Sequence, residues 1–171
     1  MNEKSTRNST GRSRERSGRI YLILHNVRSL YNVGSIFRTA DGAGVSKIFL
    51  TGYTPAPVDV FGKYRKEISK TALGAEKYVP WEVVRYIEPI INRLKKLKIQ
   101  IVALEQAKGS VDYRKFKPKF PIALVLGNEV RGLSRDVLKK CDRVIQIPMR
   151  GKKESLNVSV ATGITLFSLI R

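Results

Sequence analysis

IYLILHNVRSLYNVGSIFRTADGAGVSKIFL, Ile20–Leu50, is the stretch that decides the fold. It opens on a short β-branched apolar run, Ile20–Leu24, and closes on another, Lys47–Leu50, with a helical pattern over Asn32–Ala43 between them. Strands that are apolar at consecutive rather than alternating positions are buried on both faces, and a helix between two of them is the repeating unit of a parallel sheet. Working outward, similar runs recur at Ile99–Leu104, Ile122–Leu126 and Val144–Ile147, and helical patterns at Val83–Lys98, Ser134–Lys140 and Leu156–Ile170. The alternation predicts one α/β domain of about five or six strands, mostly parallel and flanked by helices. Pro89 either kinks the helix expected over Val83–Lys98 or marks its true start. Thr51–Pro80 reads as a long functional loop with one short helix, because Pro55 and Pro57 break any regular element there.

Charge bounds the choice of partner. Thirty-three Lys and Arg face 14 Asp and Glu, a net +19 on 171 residues. Such an excess repels itself unless a polyanion is at hand, so nucleic acid is the first reading and an acidic membrane the second. Residues 1–18, MNEKSTRNSTGRSRERSG, are polar and lack apolar periodicity. They are expected to form a disordered basic arm, which either folds onto a phosphate backbone or is merely solvated. The KYRKEISK segment, Lys63–Lys70, is a second basic cluster. No stretch approaches the ~20 apolar residues of a membrane span, and the amino terminus has no apolar signal core. A single cysteine, Cys141, excludes a disulfide framework and is expected to be a small buried packing group. A cytoplasmic protein is expected, without membrane association and without a metal.

Three segments carry candidate chemistry, each where a strand gives way to a loop or helix, the edge at which open parallel sheets bind ligands. In His25–Gly44, Asn32 can cap the following helix, and Gly34 lets another backbone or a phosphate approach its first turn. Arg38 stands six residues beyond Asn32, with Asp41 available for an i,i+3 ion pair. Leu124–Ser134, LVLGNEVRGLS, spaces Gly127 and Gly132 like a nucleotide-binding loop but lacks the Lys-Ser/Thr pair that should follow. What remains is a tight turn carrying Glu129. In Ile145–Gly163, a basic RGKK loop leads into a helix opening near Ser155–Leu156, whose amino terminus suits an anion or simple capping by Ser155.

Taken together and in order, NVRSLYNVGSIFRTAD, LGNEVRGL and IPMRGKKESLNVSVA resemble the SpoU (TrmH-like) family of the SPOUT methyltransferase superfamily over roughly Arg19–Arg171. ALEQ at Ala103–Gln106 and LGAE at Leu73–Glu76 read the same way. The resemblance implies a SPOUT methyltransferase domain over 19–171 whose carboxyl-terminal third forms a deep trefoil knot. It also implies S-adenosylmethionine as cofactor, RNA as substrate, a homodimer, and transfer of a methyl to a ribose 2′-hydroxyl. By position, Leu104, Gly127, Ile147, Met149 and Leu156 should hold the cofactor. Arg38 should reach the other subunit's cofactor and stabilise phosphate or alkoxide charge, since an arginine is a poor base at neutral pH. Asn32 should position Arg38 and the ribose, Glu129 and Asn157 should brace the site, and Ser155 is one exit for the proton. RNA is expected on Arg28, Lys63, Arg65, Lys66, Arg150 and Lys152. Among RNAs, tRNA is favoured over rRNA because no added rRNA-binding module is legible. A basic RNA-binding protein without catalysis, or a base methyltransferase of the same fold, are the rival readings.

Overall fold

The computed structural model describes residues 18–170. Apart from Gly18, the arm expected over residues 1–18 lies outside them. In chain order the elements are β1 (Ile20–His25), α1 (Leu30–Gly42), β2 (Lys47–Thr51), α2 (Lys66–Ala72), α3 (Ala75–Tyr78), β3 (Trp81–Val84), α4 (Ile87–Lys96), β4 (Gln100–Leu104), β5 (Val111–Asp112), β6 (Ile122–Leu126), α5 (Arg135–Lys140), β7 (Arg143–Gln146) and α6 (Val158–Leu169). The strands form one seven-stranded sheet in the order β3-β2-β1-β6-β4-β7-β5, and every pair is parallel.

Successive strand residues point to opposite faces, and the two faces carry separate cores. Leu22, Leu24, Ile48, Leu50, Val102, Leu124 and Leu126 pack with α1, α2, α3 and α6. Ile23, Phe49, Ile101, Ala103, Ala123 and Val125 pack with α4 and α5. This two-sided burial explains why the strands lack polar alternation: β6 is buried at all five positions.

The seven strands exceed the five or six expected. β5 is only two residues long, and β3 overlaps the start of the helix predicted over Val83–Lys98. There, Trp81–Val84 extends beside β2, setting Val83 against Leu50, and the helix begins at Ile87. Pro89 sits in its first turn, where the backbone N–H would lack an intrahelical partner, so it fixes the start rather than a kink. Thr51–Pro80 carries two short helices, not one.

Gly34 has a packing role. A Cβ there would collide with the Ile68 carbonyl and the Thr71 hydroxyl of α2, so the backbone that approaches α1 is the protein's own, not a phosphate. Thr71 Oγ1 donates to the Tyr31 carbonyl across the same contact, at 2.9 Å. Cys141 is half-buried at the end of α5, its thiol donating to the Val137 carbonyl at 3.3 Å. Burial pushes the thiol up to about 11, with Lys95 pulling it down and Asp142 pushing it up, so it stays protonated at neutral pH. Replacing Gly34 by Ala is expected to force α2 off α1 and lower stability by about 1–3 kcal/mol, the usual range for overpacking. A urea denaturation midpoint unchanged from the wild type would contradict that close approach.

Candidate active site

Because all strands run the same way, β4, β6 and β7 end along one edge, and the segments that follow them enclose a cleft of about 690 Å³, open solvent included. Leu104, Gly127, Ile147, Met149 and Leu156, drawn from three separate segments, all line it, together with Glu129 and Ser155. Glu105, Gln106 and Asn128 add polar groups that sequence reasoning did not single out individually.

The turn after β6 is held from inside. Gly132 adopts φ +63° and its N–H bonds the Asn128 carbonyl at 2.9 Å. A Cβ at Gly132 would strike the Glu105 carboxylate, and one at Gly127 would strike Gly132 and Leu133. Glu105 instead accepts from the Leu133 N–H at 2.7 Å and the Gln106 N–H at 3.0 Å, while Gln106 Nε2 donates to the Ile147 carbonyl at 3.0 Å. The loop glycines thus serve chain packing, unlike those of a phosphate-cradling loop. Glu105 could have been found from its place at the carboxyl end of β4.

Glu129 ties the three motifs together. Its Oε2 accepts from the Arg28 N–H at 3.0 Å, and its Oε1 from the Ser29 N–H at 3.0 Å and Asn32 Nδ2 at 3.1 Å. Asn32 Oδ1 accepts in turn from Asn157 Nδ2 at 3.0 Å. Burial pushes the Glu129 carboxyl up, but the backbone N–H groups of Arg28, Ser29 and Glu129 itself and the Asn32 amide outweigh it and hold the group below the usual carboxylate range.

Two expected caps move. Ser29 caps α1, accepting from the Asn32 N–H, which frees the Asn32 side chain for Glu129. Asn157 caps α6, accepting from the Ser159 N–H at 2.8 Å, so the helix opens at Val158, and Ser155 stands in the loop before it. Arg38 is exposed on α1 and neither lines this cleft nor pairs with Asp41 among the described residues. Arg150 and Lys152 are exposed in the loop that contributes Met149 and Ser155 to the cleft. Lys63, Arg65 and Lys66 stand away from it, at the start of α2, and Arg65 Nε is buried without a partner.

Beneath the site, His25 closes β1. Asn26 Nδ2 donates to His25 Nε2 at 3.2 Å, which leaves the proton on Nδ1 facing Thr51 Oγ1 at 2.9 Å. This tautomer follows from the hydrogen-bond pattern. Burial lowers the imidazole's affinity for a proton, only partly offset by Glu88. An unfolded chain protonates this group near pH ~6.5. His25 therefore contributes stability that is complete above that pH and is lost as pH falls toward the depressed folded value. As the sequence has one histidine, an NMR titration should show a single imidazole midpoint below ~6.5; a midpoint at or above it would contradict this burial. Glu129→Ala should loosen the Arg28–Asn32 loop and lower stability by about 1–3 kcal/mol, since it strands the donors that it serves. Unaltered amide exchange at Arg28 and Ser29 in that variant would count against the brace.

The comparisons with known proteins agree on one relationship. The SpoU rRNA Methylase family model matches residues 19–167. The 23S rRNA (guanosine-2′-O-)-methyltransferase RlmB of Pectobacterium atrosepticum is 36% identical over 152 residues, which cover 88% of this chain and 59% of that protein. The chain thus spans rather more than half the length of the curated relatives it matches. Among solved structures, an AdoMet-bound rRNA methyltransferase from Sinorhizobium meliloti superimposes with a TM-score of 0.78 at 35% identity, covering 90% of this chain and 56% of that one. The A. aeolicus TrmH/SpoU tRNA modifying enzyme does so with a TM-score of 0.77 at 33% identity, covering 94% and 80% respectively. With its three motifs joined through Glu129, Asn32 and Asn157 beside one cleft and the family pattern running from the first strand into the last helix, the chain belongs to the SpoU methylase family.

Proposed function

We propose that this protein is an S-adenosylmethionine-dependent RNA methyltransferase acting on a ribose 2′-hydroxyl. The observation that carries the reading is the cleft itself, where Leu104, Gly127, Ile147, Met149 and Leu156 converge beside the Glu129–Asn32–Asn157 chain. Its lining fits the cofactor's chemistry: Leu104, Leu126, Ile147, Met149 and Leu156 suit a flat base, and Glu105 and Glu129 suit a cationic centre. When bound, S-adenosylmethionine supplies an activated methyl on a sulfonium, which leaves sulfur as the ribose oxygen forms the new bond.

The remaining work falls to the chain. Holding two reactants in near-attack geometry is worth about 7–11 kcal/mol of a barrier. Glu129 does not take the proton in this scheme, because both its oxygens are engaged in bracing Arg28–Asn32. Asn32 and Asn157 couple that brace to the loop bearing Ser155, whose hydroxyl in the cleft is the chain's own relay for the departing proton.

Arg38 enters through a homodimer. Val160, Phe167 and Ile170 are 51%, 49% and 44% exposed on one side of α6, an apolar surface of the kind that a second copy covers. α6 packs on α1, with Gly163 close to Thr39 and Gly42 close to Phe167, next to Arg38. An exposed arginine with no acidic partner among the described residues, beside such a face, is placed to complete the partner's cleft and to stabilise phosphate or alkoxide charge. The trefoil knot belongs to the same reading. It is supported by β6 lying between β1 and β4, β7 lying beyond β4, and the chain returning as α6 onto α1.

As to substrate, tRNA loses the preference given to it from sequence: the RlmB relatives are named for 23S rRNA. We place large-subunit rRNA ahead of tRNA. Among the described residues no helix is long and apolar enough to cross a membrane. Methyl transfer from radiolabelled S-adenosylmethionine to separated 23S rRNA, 16S rRNA and tRNA should label one ribose and make its 3′ linkage resistant to alkali. Label on a base would instead indicate a base methyltransferase, and no label with no cofactor binding would indicate an RNA binder. Arg38→Ala should abolish turnover while leaving cofactor affinity within about twofold; retained turnover would remove Arg38 from the mechanism.

A further inference from the structure

Beside the cofactor cleft, and sharing Asn128 and Val130 with it, lies a second groove lined by Arg28, Tyr53 and Arg131. Its polar core is the side chain of Asn128, only 7% exposed. Asn128 Nδ2 donates to the Tyr53 hydroxyl at 3.1 Å and to the Asn26 carbonyl at 3.0 Å, and its Oδ1 accepts from the Val130 and Arg131 N–H groups at 2.9 and 2.8 Å. One buried amide therefore fixes both an aromatic ring and the backbone that presents an arginine. The backbone that carries the ring is anchored as well, by the Tyr53 N–H donating to Asn26 Oδ1 at 3.2 Å. Asn26 is itself set at φ +59° and anchored on His25.

Ordering of this kind is not needed to bury Tyr53, which stays 56% exposed, or Val130, which is 87% exposed. Arg28 and Arg131 are exposed too, and neither guanidinium has an acidic partner among the described residues. A rigid exposed aromatic flanked by free guanidinium groups is the arrangement by which proteins take an unpaired nucleotide: the base stacks on the ring and the phosphate meets the arginines.

We propose that this groove is a nucleotide subsite, in which Tyr53 stacks one unstacked base of the RNA and Arg28 and Arg131 hold its phosphate next to the methyl-donor cleft. The proposal rests on the RNA methyltransferase reading for its ligand, and it makes the preferred substrate a loop or bulge rather than a continuous duplex.

The test compares the wild type with Tyr53→Leu, Tyr53→Phe and Arg131→Gln. The probes are a fluorescein-labelled 12-nucleotide single-stranded RNA of mixed sequence, a duplex of the same sequence, and S-adenosylmethionine itself by calorimetry. Tyr53→Leu should weaken single-strand binding by about five- to hundredfold, with Tyr53→Phe losing clearly less, because the stacking face is kept although the bond from Asn128 to the hydroxyl is lost. Arg131→Gln should reduce the salt dependence of single-strand binding by a slope of about 0.7, the value for one phosphate contact. Single-strand affinity unchanged in Tyr53→Leu, equal losses for single strand and duplex, or a Tyr53→Phe variant as weak as Tyr53→Leu would each overturn the subsite. Failure of the wild type to bind S-adenosylmethionine would sink the methyltransferase reading instead, and the RNA comparison would still judge the groove.

Discussion

The carboxylate of Glu129 is the point on which the site depends. It lies on the turn after β6, yet its partners are Arg28, Ser29 and Asn32, about a hundred residues earlier in the chain, and through Asn32 it reaches Asn157 at the start of α6. Glu129, Arg28–Asn32 and Asn157 lie on separate segments of the chain. Each takes its position from the others, and they share one anion stabilised by backbone N–H groups. Charge-assisted bonds of this type are about twice as strong as neutral ones. They also engage both oxygens of the anion, so in the proposed mechanism this carboxylate sets geometry.

The fold was legible because parallel strands buried on two faces announce themselves as unbroken apolar runs. Ile20–Leu24 and Ile122–Leu126 could be read directly, and they are neighbours at the centre of the sheet. Legibility failed at the margins. Trp81–Val84 has partly exposed edge residues and no such run, so it merged with the helix that follows it. β5, with two residues, has too little sequence to show any period.

At the site, the motifs told where chemistry gathers but not which atom serves which. The sequence placed Asn32 and Ser155 near helix starts, where either could have been a cap. The structure gives capping to Ser29 and Asn157 and leaves Asn32 to bridge two motifs. Asn128 and Tyr53 escaped notice for a different reason. Their contact joins residues 75 positions apart, and neither has a charge or a spacing that marks it.

The strand order also shapes how the chain must acquire its structure. Leu22 of β1 lies beside Ile48 of β2 on one side and beside Leu124 of β6 on the other. The first pairing closes a short loop, whereas the second waits for most of the chain. Non-local parallel pairing of this sort slows folding. On the ribosome, β1 and β2 emerge with one flank of the sheet still missing, and no rearrangement among the earlier residues can supply it. Until β6 is released, the nascent chain carries an open apolar strand edge, the state in which growing proteins most need shielding from one another.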